Sequence, residues 1–167
     1  MGSSDIAFSI TLRGDNLIGE YAMSRPIHAS QFMLALALVG TVVALYDAQA
    51  IYYGKELWCP PPISGCNEVA NSPYARIFDV PVGYFGIVYY LLMFALAALI
   101  EFYSSCAFRI AVLLYAALGV CFSTYFLYIQ VNFIHAFCIY CLVSAVTTLM
   151  LLAAACLNMA KNPTMPA

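Results

Sequence analysis

Charge is the scarcest property of this 167-residue chain: Asp, Glu, Lys and Arg together make up 8% of it. A soluble domain carries about 25% charged residues, so this sequence cannot cover a water-facing surface. Its six basic residues are scattered and the formal net charge is −2, which argues against a nucleic-acid partner. The N-terminal region lacks a basic start followed by an apolar core and a small-residue cleavage site. No removable signal peptide is therefore expected, and the first span is read as the anchor. Strand-like alternation is missing from apolar runs such as Leu91-Leu92-Met93-Phe94-Ala95-Leu96, which excludes a β-barrel. Internal repeats and low-complexity tracts are absent as well.

What the chain has is apolar length: 65% of it is hydrophobic and the mean hydropathy is +0.90. Four runs, at about 31–53, 82–100, 106–129 and 133–157, each supply the roughly 20 helical residues that cross about 30 Å of hydrocarbon. Backbone groups in hydrocarbon must satisfy one another, so the runs are read as helices. The expected fold is an all-α integral membrane protein, a four-helix transmembrane bundle with a long outer loop carrying a short amphipathic helix. Residues 1–30 are expected to form a cytoplasmic tail and 31–157 the four-span domain, with the loop at about 54–79; residues 158–167 form a second cytoplasmic tail.

Orientation follows from Lys and Arg near the spans. Arg13, Arg25, Arg109 and Lys161 fall on one side, Lys55 and Arg76 on the other. This bias places both termini in the cytoplasm. Parity then puts four of the seven cysteines on the outer face. Cys59 and Cys66 flank a proline-rich segment of the outer loop, and Cys138 and Cys141 form a C-x-x-C pair at the head of the last span. In bacteria, the outer face is also where disulfides persist. C-x-x-C spacing and a nearby helix N-terminus lower thiol pKa values and raise the thiolate fraction that performs exchange. Two thiol pairs on one side suggest an electron relay. Three blander readings stand beside it: a structural staple in the loop, incidental thiols in an apolar helix, and four thiols around zinc. Cys106 and Cys156 fall near the inner face and Cys121 within the third span, as packing residues.

The loop adds further features. Three prolines after Cys59 favour an extended segment, and Gly65 lets the chain turn before Cys66. Ser72-Pro73 reads as a helix start, with Ala70, Tyr74, Ile77 and Phe78 forming an apolar stripe that would lie across the mouth of the bundle. Asp47 lies inside the first span and is expensive if it faces lipid, so it is expected to face the bundle or reach the outer interface. Trp58, Tyr52 and Tyr53 fit an interfacial aromatic belt, and His28 and His135 read as interfacial.

The order of motifs resembles the vitamin K epoxide reductase (VKOR) family. The loop cysteine pair is followed by Cys66-Asn67-Glu68-Val69-Ala70-Asn71-Ser72-Pro73. Next come Val80-Pro81-Val82-Gly83-Tyr84-Phe85-Gly86 and Cys138-Ile139-Tyr140-Cys141-Leu142-Val143-Ser144-Ala145. The likeness covers the chain from about Gln31 to Leu157. It implies a quinone-coupled thiol oxidoreductase acting like disulfide bond formation protein B. In it, Cys59 exchanges with a thioredoxin-fold, DsbA-like partner, Cys66 carries the electrons to Cys138, and Cys141 faces the quinone. It also implies a quinone pocket involving Ser72, Val82, Phe85 and Ala145, with ubiquinone, menaquinone or a vitamin K type quinone as acceptor and no metal. Vertebrate members carry an asparagine near the start of the second span and a tyrosine one turn past C-x-x-C, where this chain has Val82 and Ala145. That departure favours the bacterial-type activity in an inner membrane, with the redox cysteines on the periplasmic side. The sequence ends soon after its last span, so the partner is expected to be a separate polypeptide. Two rivals are an epoxide or quinone reductase of an ER membrane and a non-enzymatic four-span protein with a loop staple.

Overall fold

The computed structural model describes residues 27–61, 65–100, 102–103 and 105–161. Helix α1 covers Ile27–Tyr53, α2 is the short Cys66–Ala70, and α3 runs over Val82–Leu99. Helix α4 covers Cys106–Ile129 and continues through a π-helical turn, Gln130–Ile134; α5 covers Ile139–Lys161. A 3-10 turn, Pro73–Ala75, and an antiparallel hairpin, β1 Arg76–Ile77 with β2 Val80–Pro81, connect α2 to α3. Helices α1, α3, α4 and α5 are each long and apolar enough to cross a membrane. The chain is therefore the four-span, all-α membrane bundle its composition implies. Most of the expected N-terminal tail, with Arg13 and Arg25, lies outside the described residues, as do residues 162–167 and the side chains of His28 and Lys161.

Two threonine hydroxyls inside the spans find their partners locally. Thr41 donates to Ala37 O at 2.8 Å and Thr147 to Val143 O at 2.7 Å, so neither leaves a bare polar group in hydrocarbon. Small residues let α1 and α3 approach closely. Gly40, Ala44 and Ala48 recur every four residues on α1 and face Tyr90, Gly86 and Gly83 on α3. A methyl group on Gly83 would sit 2.9 Å from the Ala48 backbone nitrogen, so any larger residue would force the helices apart. Helix α1 also packs on α5, and α5 on α4, whereas α3 and α4 touch only sparsely. The ring of four helices thus has one loose seam. The main core, with Met33, Met93, Val112 and Leu151 fully buried, fills the half of the bundle away from the long loop.

Two expectations are corrected. The stripe Ala70, Tyr74, Ile77 and Phe78 does not form one helix lying apolar side down. Ala70 ends α2, Ile77 is in β1, and Phe78 sits 96% exposed at the hairpin turn. Phe78 and Asp79 both take positive φ, of 50° and 63°, the backbone that a tight two-residue hairpin demands. β-branched Ile77 and Val80 flank that turn, so a strand pair replaces the helix. The last span also starts later than residue 133. The third helix persists to Ile134, and His135 closes it in the left-handed conformation at φ 56°. The chain then runs through Ala136 and Phe137 before α5 begins at Ile139.

Candidate active site

The long loop between α1 and α3 is fastened by paired hydrogen bonds. Helix α1 ends at Gly54, which takes a left-handed φ of 61°, while Lys55 N–H returns to Ala50 O at 2.9 Å. The chain then passes Leu57, whose N–H donates to Asn67 Oδ1 at 2.7 Å and whose carbonyl accepts from Asn67 Nδ2 at 3.4 Å. This two-point clamp aligns the two sides of the loop just where the cysteines lie. Cys59 and Cys66 are joined in a disulfide with Cα atoms 6.0 Å apart.

The same loop is seated on the start of α5. Tyr140 Oη donates to Trp58 O, and the Tyr46 and Tyr140 rings meet at 5.2 Å. Gly65 lies so close to the link before α5 that an added methyl would fall 2.7 Å from Ala136 Cβ and 2.9 Å from Phe137 N. This contact requires glycine because its obstacle is backbone. Cys66, fully buried, consequently packs in one cluster with Cys138, Leu57 and Ala50. The two thiol pairs share one end of the bundle, as helix parity requires.

The C-x-x-C pair is split between two environments. Cys138 is the residue before α5, 1% exposed, and lies in the cluster with Cys66. Its N–H donates to Gln130 Oε1 at 3.0 Å, so the buried Gln130 side chain holds the position where the helix opens. The neighbouring Cys141 thiol hydrogen-bonds Cys138 and holds its thiol below the ordinary range, outweighing burial, which acts in the opposite sense. Because α5 begins at Ile139, both sulfurs lie at its first turn, where the helix dipole favours a thiolate. Cys141, by contrast, lines a cavity of about 710 Å³ that reaches all four long helices and the hairpin. That volume lies within the range of small-molecule sites.

The cavity walls are mostly aromatic and aliphatic. Val82 and Phe85, both anticipated from sequence, line it; Ser72 and Ala145 are not among its lining residues. Ser72 occupies the N-cap position before Pro73, but its hydroxyl donates back to Val69 O at 2.7 Å. Ala145 is buried at 6% exposure. The loose seam between α3 and α4 carries half-exposed Phe85, Val88, Leu118 and Phe122, all of which line the cavity. Cys106 is half-buried, and Cys121 and Cys156 are exposed on the helix faces.

Several cavity residues were not singled out by sequence reasoning. Tyr89 stacks on Tyr115 at 5.0 Å and turns a buried hydroxyl with no hydrogen-bond partner against Gly119. Tyr90 Oη meets Ser144 Oγ at 2.7 Å. The available signal was tyrosine deep inside a span, away from the interface where such residues usually sit. Asp47, already conspicuous in the sequence, faces this cavity and not lipid. A carboxyl at the bilayer centre costs about 2.5–3.5 kcal/mol on insertion scales; Asp47, within two turns of the loop end of α1 and facing the bundle interior, escapes part of that cost.

A disulfide packed on a C-x-x-C pair, one of whose sulfurs opens on an apolar cavity, has a counterpart in known sequences. A profile of the vitamin K epoxide reductase family matches residues 31–156. The chain belongs to that family. The match takes in most of the first and last spans, all of the two between them and the long loop, and with them Cys59, Cys66, Cys138 and Cys141. Membership makes this VKOR-family chain a membrane oxidoreductase of thiol chemistry, in a family that uses quinones of the vitamin K kind. No curated protein matches the chain.

Proposed function

We propose that this chain is a quinone-coupled thiol oxidoreductase that reoxidises a separate thioredoxin-fold, DsbA-like partner on the outer face of a bacterial inner membrane. The observation that carries this reading is the division of labour within C-x-x-C: Cys138 packs with the loop pair, and Cys141 opens on the cavity. A staple in an inert protein gives no reason for that division.

The chemistry runs through four sulfurs. A partner thiolate attacks Cys59, the more accessible sulfur of the loop disulfide, and Cys66 leaves as a thiolate. The partner's second thiol then resolves the mixed disulfide, so the partner leaves oxidised and the loop pair is reduced. Cys66 thiolate attacks Cys138 within the Cys138–Cys141 disulfide and releases Cys141. Cys59 resolves the Cys66–Cys138 bond, which restores the loop disulfide and leaves two thiols in the inner pair. The inner dithiol then closes to a disulfide as two electrons pass to quinone. For this two-electron couple about 30 mV is worth 1.4 kcal/mol, so a modest potential gap makes the flow nearly one-way.

The cavity suits such an acceptor. Aromatic rings offer stacking partners for a quinone head, and the loose α3–α4 seam offers a lipid-soluble molecule a route from the bilayer. Val82 provides no hydrogen-bond donor at the position where vertebrate members carry asparagine, which supports reduction of a quinone over an epoxide. The test uses purified full-length protein, reduced DsbA-like protein and a short-chain ubiquinone or menaquinone. Quinone-dependent oxidation of the partner is expected, and Cys59→Ser, Cys66→Ser, Cys138→Ala and Cys141→Ala each abolish it. Unchanged turnover in Cys138→Ala and Cys141→Ala would leave the loop disulfide as a staple and end the proposal.

A further inference from the structure

Asp47 takes no part in the sulfur pathway, yet it stands where that pathway ends. It lines the cavity together with Cys141 and Tyr140, and it is close enough to Cys138, Tyr140 and Cys141 to act on all three electrostatically. Its carboxyl makes no hydrogen bond or ion pair among the described residues, and it is the one carboxyl among the described residues lining the cavity. Of the other polar groups in the wall, Tyr140 Oη donates to Trp58 O and Tyr90 Oη is bonded to Ser144, while the Tyr89 hydroxyl, which stays protonated near neutral pH, is buried without a partner.

Electrons are only half of quinone reduction. Converting a dithiol and a quinone to a disulfide and a hydroquinone moves two electrons and two protons. Sulfur passes the electrons, but protons need groups that accept and release them, and an apolar cavity supplies little water. An aliphatic side chain at position 47 would close the wall at lower cost in hydrocarbon, whereas a carboxyl adds a proton carrier to the cavity that holds the terminal sulfur.

We infer that Asp47 is the proton-transfer group of the inner site, taking the proton of the Cys141 thiol and delivering it to a carbonyl oxygen of the bound quinone. The inference rests on the quinone-reductase reading given above. In the balanced step, Cys141 S–H loses its proton to Asp47, the Cys138–Cys141 S–S bond forms, and two electrons enter the quinone. Asp47 gives its proton to one quinone oxygen. The second oxygen takes from water the proton that Cys138 released when its thiolate formed, and hydroquinone departs.

The test separates electron transfer between sulfurs from proton delivery to quinone. Asp47→Asn keeps size and hydrogen-bonding capacity but cannot carry a proton. In full-length protein with both cysteine pairs oxidised and no quinone present, a reduced DsbA-like protein should be oxidised by Asp47→Asn as fast as by wild type. Short-chain quinone, followed by quenching of intrinsic fluorescence, should bind both proteins alike. Steady-state quinone reduction should fall about 100-fold in Asp47→Asn, within the usual contribution of a positioned acid–base group. Asp47→Glu should recover much of the rate, and added formate or acetate should partly rescue Asp47→Asn. Full turnover in Asp47→Asn, or a parallel loss of sulfur exchange or quinone binding, would overturn the assignment in favour of a bystander or packing role. If wild type itself passes no electrons to quinone, the parent reading falls, and the inference falls with it.

Discussion

The two ends of the bundle are built from different materials. Away from the loop, Met33, Met93, Ala97, Val112 and Leu151 pack with no exposed surface, and Arg109 Nη1 ties α4 to α5 through Asn158 Oδ1 at 2.9 Å. At the loop end, the buried cluster is small, two of its members are cysteines, and a cavity takes the place of packed side chains. Tyr89 Oη is buried there without a partner, and the Asp47 carboxyl lines the same cavity. Filled cores stabilise, and unfilled ones with unsatisfied donors bind and react. One end holds the helices in register so that the other can keep its space open.

Substitutions at the two ends should therefore separate chemistry from stability. The largest effect belongs to Cys141→Ala, which should lower quinone-dependent thiol oxidation on the order of 10³-fold or more while barely shifting thermal unfolding. Equal losses of rate and stability would erase the distinction between the ends. Met93→Ala is the mirror case. It should cost about 2–5 kcal/mol of stability, read from unfolding of the solubilised protein, while the surviving folded fraction turns over normally.

Gly65→Ala sharpens the comparison within the loop end. The added methyl meets Ala136 and the Phe137 backbone, so the loop must lift. About 1–3 kcal/mol of overpacking should slow exchange between the two cysteine pairs tenfold or more in a quinone-free, stopped-flow assay. An unaltered rate would mean that the loop does not need this seat. The smallest effect is a titration. With the other cysteines replaced by serine, the thiolate absorbance of Cys138 should appear at lower pH when Cys141 is present than when it is alanine. The sign follows from the hydrogen bond, which favours the charged sulfur. A shift the other way would make burial the dominant influence.

Much of this was legible in the sequence, for identifiable reasons. Span number follows from apolar length, and the common end of Cys59, Cys66, Cys138 and Cys141 follows from parity. Asp47 was visible as an anomaly because hydrocarbon makes any carboxyl conspicuous. What the sequence left open depends on local backbone and on packing between helices. The stripe ending at Phe78 has helical spacing, and only the positive φ values at Phe78 and Asp79 turn it into a hairpin. The start of α5 depends on His135 taking a left-handed conformation, which then puts Cys138 and Cys141 at a helix N-terminus. Which sulfur faces the loop and which the cavity cannot be read from a spacing of three. Ser72 keeps its place before a turn, but its hydroxyl is spent on Val69 O.

The central claim is that electrons cross from the loop to the membrane helix through a bond between Cys66 and Cys138. Cys59→Ser combined with Cys141→Ser leaves those two sulfurs without their usual partners. Purified under oxidising conditions and digested, this double variant should yield a peptide pair cross-linked between Cys66 and Cys138 by mass spectrometry. Recovery of both as free thiols, under conditions where the wild-type loop disulfide forms, would contradict the account.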